Sequence, residues 1–159
     1  MNIKLDKIDL NILKDLQDNG RLTNVELARR SGISAPPCLR RVKALEDDGI
    51  ISSYHAELNY AALGFNVIIF AEVTLTSQND TDLRSFEEHI HQWPLVRECY
   101  LVTGEFDFLL KIVAKDFDSY QNFLSTELSI IAKVAKIKTR MVVRVVKKLP
   151  GIPIEQAFI

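Results

Sequence analysis

The first sixty residues show the apolar periodicity of short amphipathic helices. A first helix is predicted by apolar side chains three or four positions apart, at Leu5, Ile8, Ile12 and Leu16. The pair Asn19-Gly20 ends this run. A second helix is predicted after Thr23, because Glu26 three residues later completes a capping box. The apolar side of this second helix is expected at Val25, Leu27 and Ala28.

Two adjacent prolines stand where a third helix should begin, after a turn at Gly32. If Ser34 is the N-cap, then Ala35, Pro36 and Pro37 take the first three helical positions, where amides lack an intrahelical partner anyway. A start at Pro37 is the alternative, because the residue before a proline disfavours the helical region. Helix, short turn and helix together predict a helix-turn-helix, and residues 50–58 beyond it are a candidate strand or wing.

From residue 66 the pattern changes to strands alternating with helices. Strands are predicted at 66–76, 96–103, 106–114 and 134–147, and helices at 81–93 and 117–131. This β-α-β-β-α-β order is that of a ferredoxin-like domain. We therefore expect an α+β chain with a winged helix-turn-helix domain at 1–60, a ferredoxin-like domain at 61–148 and a tail at 149–159.

A four-stranded sheet with both helices on one face leaves its other face uncovered. The first predicted strand is apolar on both faces, so water is not a suitable neighbour for either. We expect at least a homodimer for this reason, which light scattering at micromolar concentration would measure.

The composition favours a soluble protein of the cytoplasm. The 159 residues carry a net charge of −1 and are 47% hydrophobic, enough for a packed core. No signal peptide is visible, and the longest apolar run, Val67 to Ala71, is too short to span a membrane. Cys38 and Cys99 are expected to be buried, reduced thiols.

Basic side chains surround the third helix. Between Leu27 and Leu45 there are five and no acid: Arg29, Arg30, Arg40, Arg41 and Lys43. In a helical projection centred on Val42, Arg40 lies about 160° away, opposite the buried face. Such a helix suits the DNA major groove, where Arg40 could read a guanine edge. The other four basic residues are expected to contact phosphates, and the face also includes Ser34, Ala35, Pro36 and Pro37. The alternative is a solvated charged face.

The stretch "TGEFDF", Thr103 to Phe108, joins two predicted strands. Gly104 permits a tight turn whose amides could hold a carboxylate, and Asp107 could hold an ammonium group. A zwitterionic amino acid would match this pair. The alternative is an ordinary hairpin turn in which the aspartate caps a strand.

Three stretches carry a family resemblance: "LDKIDLNILKDLQDNGRLTNVELARRSGIS", "PCLRRVKALEDDGII" and "YLVTGEFDFLLK". They resemble signatures of the Lrp/AsnC family of prokaryotic transcription factors. The resemblance implies a helix-turn-helix at 24–43, dimers formed through the sheet that often assemble into octamers (tetramers of dimers), and an amino-acid effector bound between dimers. The implied effector residues are Leu101, Thr103, Gly104, Glu105, Phe106, Asp107, Ile137 and Thr139, with Glu105 facing solvent. Where the family often has Ser-Pro-x-Pro-Cys, this chain has Ser34 to Cys38 as "SAPPC", and its tail matches no family pattern.

The function expected from this resemblance is sequence-specific regulation of amino-acid metabolism genes. DNA binding and assembly would respond to the amino acid, and no cofactor or metal is expected. One alternative is an amino-acid-sensing module without DNA binding. Another is a relative of the haem-pathway decarboxylases that share these domains, but His89 and His91 lie two apart and point to different faces. We therefore expect no enzymatic activity.

Overall fold

The computed structural model describes residues 5–156, which divide into two compact units. The first unit contains residues 5–57 and 147–156, and the second contains Leu58–Val146. The first is built on three helices: α1 (Lys7–Asp18), α2 (Asn24–Ser31) and α3 (Ala35–Asp47). Their core consists of Ile12, Leu27, Ala28, Cys38, Val42 and Leu45. The domain boundaries expected from the sequence treated residues 149–159 as a separate tail. In the structure, residues 147–156 belong to the first unit.

Local interactions fix where these helices begin: side-chain caps at α1 and α2, and prolines at α3. Asp6 accepts hydrogen bonds from the amides of Ile8 and Asp9, and Asp9 accepts one from the amide of Asp6. The predicted capping box of Thr23 and Glu26 is present at the start of α2. The third helix begins at Ala35, the first of the two starts considered, so both prolines lie in its first turn.

Val25 does not join the buried side of α2 as expected. Its side chain is 69% exposed, whereas Leu27 and Ala28 are buried. Residues two apart on a helix are separated by about 200°, so Val25 and Leu27 cannot share a face.

The second unit is a four-stranded antiparallel sheet with helices on one side. Its elements are β1 (Val67–Leu75), α4 (Asp80–Ile90), β2 (Val96–Leu101), β3 (Phe108–Ala114), α5 (Phe117–Phe123) and β4 (Val134–Met141). The spatial order is β2-β3-β1-β4, and every neighbouring pair is antiparallel. This confirms the predicted α+β class and the βαββαβ order. Alternate residues of β1, Ile69, Ala71 and Val73, lie in the core with Phe86, Trp93 and Tyr120.

The other face of the sheet is less apolar than the sequence suggested. Glu72 of β1 is 8% exposed, and its carboxylate accepts a hydrogen bond of 2.5 Å from Nε of Arg140 on β4. The guanidinium of Arg140 lowers the pKa of Glu72 below its ordinary value. An ion pair between a buried carboxylate and an exposed guanidinium therefore lies on this face.

Three of the predicted elements differ clearly from the structure. β4 ends at Met141 instead of residue 147 because Met141 pairs with Ile69 and the partner strand begins only two residues earlier. The helix expected over 117–131 ends at Phe123, and a π-helical turn over Leu124–Leu128 brings Leu128 into the core. Residues 52–59 form neither a helix nor a strand.

Candidate nucleic-acid interface and effector turn

The outer face of α3 is a ridge of small apolar side chains interrupted by one arginine. Pro36, Arg40 and Ala44 are exposed and lie four residues apart, so they form one stripe on the helix. Cys38 and Leu45 are buried on the opposite side. The hydroxyl of the preceding N-cap Ser34 makes no capping bond, and Ala35 and Pro37 are half-buried.

The five predicted DNA-binding cations fall into two groups. Arg29, Arg40 and Lys43 are exposed and form no ion pair with any residue between 5 and 156. Arg30 pairs with Asp15 at 3.1 Å. Three cations of the first unit are thus available to an external anion without breaking a contact.

Arg41 holds α3 to α1. Its Nη1 lies 2.8 Å from Oδ2 of Asp6 and 2.7 Å from Oδ1 of Asp9, and its side chain is 33% exposed. The hydrogen bond to Asp9, followed by that to Asp6, raises the pKa of Arg41. A phosphate would therefore compete with two carboxylates for a residue that the sequence interpretation had assigned to DNA. The sequence gives no local sign of this contact, because Asp9 and Arg41 are 32 residues apart.

Asp6 makes the stability of the first unit depend on pH at acid values. The amide of Asp9, and then the guanidinium of Arg41, lowers the pKa of Asp6 below its ordinary 3.8. Because the pKa is lower in the folded chain, this stabilisation is present above pH 3.8 and is lost as the pH falls through the folded value. We expect Asp6→Asn to reduce the loss of thermal stability between about pH 5 and about pH 3.

Circular dichroism melting at both pH values measures this effect. Asp47→Asn is the control, since Asp47 is exposed on α3 and forms no ion pair with a described residue. The same pH dependence in both variants would contradict the assignment to Asp6.

The turn between β2 and β3 projects an exposed loop. The amide of Val102 donates to the carbonyl of Asp107 at 2.9 Å, which closes the turn. Thr103, Gly104 and Glu105 are exposed between these two residues. Gly104 has a φ of 127°, a conformation that side-chain-bearing residues rarely adopt, so glycine is required there. Of the flanking residues, Leu101 is 57% exposed and Phe106 is half-buried.

Asp107 faces into the protein instead of into the exposed turn. It is 5% exposed, its Oδ2 accepts from the amide of Leu75 at 2.7 Å, and its Oδ1 accepts from Nε2 of Gln78 at 2.6 Å. Both carboxylate oxygens therefore have partners within the chain. Its contacts favour the alternative considered from the sequence, an aspartate that fixes the hairpin. Sequence reasoning missed Gln78 because the two residues are 29 positions apart.

The two predicted effector residues of β4, Ile137 and Thr139, lie on the same face of the sheet, towards the core. Oγ1 of Thr139 lies 2.5 Å from the hydroxyl of Tyr120 on α5, and Ile137 packs against the core. Between them, Lys138 reaches towards the turn, with Nζ 3.8 Å from Oε2 of Glu105. Glu105 faces solvent as expected, with its side chain 89% exposed. Lys138 was not among the predicted residues, and it is the residue of β4 that forms an ion pair with this turn.

Family models match both units. Residues 5–52 match a winged helix-turn-helix DNA-binding model, and residues 68–152 match the Lrp/AsnC ligand binding domain. The chain belongs to the Lrp/AsnC family. It is thus a DNA-binding transcriptional regulator with an Lrp/AsnC ligand-binding domain, which confirms the main functional prediction from the sequence at this level.

Named relatives agree with this assignment. The leucine-responsive regulatory protein of Rhizobium meliloti is 49% identical over 147 residues, which cover 92% of this chain and 94% of that protein. The transcriptional regulator AzlB of Bacillus subtilis is 36% identical over 156 residues, covering 98% and 99%. A crystal structure of a Neisseria meningitidis transcriptional regulator in complex with L-methionine has a TM-score of 0.93 and 35% identity, covering 98% and 100%.

Membrane-spanning helices and metal sites are the next features. Within the part that the structure describes, no helix is long and apolar enough to cross a lipid bilayer. Among those residues, no group of three His, Cys, Asp or Glu side chains is placed to hold a metal ion. His89 instead places Nδ1 2.7 Å from the carbonyl of Ser85 on its own helix.

Proposed function

We propose that this Lrp/AsnC regulator reads DNA with the exposed ridge of α3 and binds an amino acid at the β2–β3 turn. The observation that carries the first half is that Arg29, Arg40 and Lys43 are exposed and form no ion pair with a described residue, around a helix that buries its other face. Arg40 would contact a base edge, because it lies at the middle of the ridge. Arg29 and Lys43 would contact phosphates, and Arg30 would join them by exchanging Asp15 for a phosphate.

The proposed effector site consists of the backbone amides of the exposed residues Thr103 to Glu105. Successive amides in a glycine turn attract an anion, and an α-carboxylate is the anion of an amino acid. Lys138 adds a positive charge beside this turn. Leu101 and Phe106 offer apolar surface to a side chain, and Asp107 holds the turn in shape from behind. Ile137 and Thr139 would act by positioning β4.

The assembly, location and genes controlled are part of the same proposal. We propose a homodimer formed through the sheet, with four dimers assembling around effector sites that two dimers share. An effector that contacts two subunits favours one assembly and thereby changes how the helix-turn-helix pairs are presented to DNA. The protein would act in the cytoplasm on genes of amino-acid metabolism, without enzymatic activity.

A thermal-shift screen with the twenty common amino acids tests the effector half of this proposal. We expect L-leucine or L-methionine to raise the melting temperature with increasing concentration, because a ligand of the folded state stabilises it by RT ln(1 + [L]/Kd). Gly104→Ala should abolish the shift, since a side chain is strained at φ 127°.

Gly64→Ala is the matched control for this screen. Gly64 also has a positive φ, 80°, lies in the same unit outside the turn, and has open space where the new Cβ would stand, as Gly104 does. A flat screen, or an equal loss of the shift in both variants, would contradict an effector site at the turn.

A further inference from the structure

The C-terminal tail of this chain is docked on α1 of the DNA-binding unit. The carboxamide of Gln17 donates to the carbonyl of Ile152 at 2.8 Å and accepts from its amide at 2.9 Å. Ile154 is buried at 8% exposure, and Glu155 lies 2.6 Å from Nζ of Lys14. Gln17 of α1 therefore bonds both backbone groups of Ile152, as a neighbouring strand would. Lys14, one turn away on α1, supplies the charge opposite Glu155.

Because the tail belongs to the first unit, the chain connects the two units twice. The chain leaves the first unit after Glu57 and re-enters it at Lys147. β4 ends at Met141, so only residues 142–146 separate the strand beside the proposed effector turn from the tail. Where the chain passes between units, Lys148 and Glu57 form an ion pair at 2.7 Å within the first unit. A displacement of β4 can therefore reach α1 along the chain through residues 142–146 and the tail, separately from the other connection between the units at residues 57–58.

The docked tail is held weakly enough to be released. Its ion pair with Lys14 is exposed, with both side chains more than half accessible, and such pairs contribute little to stability. Ile154 is its one buried apolar side chain among residues 147–156. A pocket of about 200 Å³ remains between tail and helix, lined by Lys7, Leu10, Asn11, Lys14, Ile154 and Glu155. A contact of this size suits an equilibrium between docked and released states.

We propose that the tail is a coupling strap, which transmits the state of the effector turn to α1 and so to DNA binding. This inference rests on the proposed function, because it needs an amino acid bound beside β4. An amino acid that binds the docked and released states with different affinity shifts the equilibrium between them. The docked state fixes α1, to which α3 is tied by Arg41, so the shift alters how α3 is held for DNA.

Gly151→Ala in the full chain releases the strap at a position outside both proposed binding sites. A Cβ at Gly151 would stand 1.9 Å from Oε1 of Gln17, so the carboxamide must move away from Ile152, and the φ of 62° is strained for alanine. Gly49→Ala is the matched control in the same unit, with a φ of 71° and open space around the new Cβ. Ile154→Glu releases the tail by a different change.

Three measurements are made on each variant. Hydrogen exchange of the α1 amides should become at least tenfold faster in Gly151→Ala and Ile154→Glu than in the control. Calorimetry with L-leucine and L-methionine should still detect binding in both released variants, at an affinity that differs from the parent's because the two states bind the amino acid differently, whereas Gly49→Ala should keep the parent affinity. The ratio of DNA affinities measured with and without the amino acid should fall towards one in the released variants and stay at the parent value in Gly49→Ala.

Each outcome of these experiments decides the inference. An unchanged ratio in variants whose α1 exchanges faster would overturn the coupling role and leave the tail as a structural contact. Unchanged exchange of α1 in both variants would overturn the docked tail itself. If neither amino acid bound the parent protein, the proposed effector function would fail, and the strap with it. Binding with an unchanged ratio would remove the strap alone.

Discussion

Arg40→Ala is expected to weaken binding to the specific DNA site by about 1–3 kcal/mol, or ~5- to 150-fold, with little loss on random DNA. Arg40 is exposed, forms no ion pair with a described residue, and lies between Pro36 and Ala44 on the ridge. Its removal leaves the core of the first unit intact, because Cys38 and Val42 face the other way. The loss therefore reports on a contact to a base.

A fluorescence anisotropy titration measures both affinities on a site that the parent protein selects from a random library. Arg29→Ala serves as the comparison, because Arg29 is also exposed but lies on α2. We expect that variant to lose affinity equally on all sequences and to reduce the salt slope by about one. Equal losses on specific and random DNA in Arg40→Ala would assign Arg40 to a phosphate.

Local signals in the sequence predicted the helix-turn-helix with its boundaries. The capping box of Thr23 and Glu26 involves residues three apart, and the two prolines lie in the first turn of α3, where their missing amides cost no hydrogen bond. All these effects act within one helical turn, so a sequence contains what is needed to find them. The apolar face of α3 was also predictable, because its period of 3.6 residues continues over three turns.

Contacts between distant residues were not predictable in the same way. The sequence shows Arg41 as one more base in a basic stretch, and only the packing of α3 against α1 reveals its two carboxylate partners. The tail shows neither period nor motif, yet Gln17 binds it across 135 positions. The predicted length of β4 was too great because the valines after Met141 favour a strand, whereas the partner strand β1 does not extend far enough to pair with them.

The strongest disagreement between pattern and structure concerns Asp107. In the sequence it stands beside a glycine turn as a free carboxylate, suited to an ammonium group. In the structure it is buried with two donors of its own chain, the amide of Leu75 and the carboxamide of Gln78. An acid beside a turn is compatible with either role, and only the direction of its side chain distinguishes them.

Asp107→Ala is expected to destabilise the second unit by ~3 kcal/mol and to abolish amino-acid binding as a consequence. Two hydrogen bonds to a charged acceptor are lost, and the amide of Leu75 becomes a buried donor without an acceptor, which costs about 1–3 kcal/mol by itself. Gln78→Ala is the graded control, because it removes one donor and leaves the bond to Leu75, so we expect a loss of ~1 kcal/mol.

Urea unfolding followed by tryptophan fluorescence measures these losses in the second unit alone. The chain has one tryptophan, Trp93, and it is buried in that unit against Phe86 and Phe123. If Asp107→Ala keeps the parent stability but loses the amino acid by calorimetry, the aspartate is an effector ligand and the interpretation from the sequence is right. If stability and binding fall together, and Gln78→Ala shows a smaller loss of both, Asp107 acts on the effector by holding the turn. The second result is expected, because a carboxylate that is 5% exposed would have to give up two existing bonds before it could bind an ammonium group.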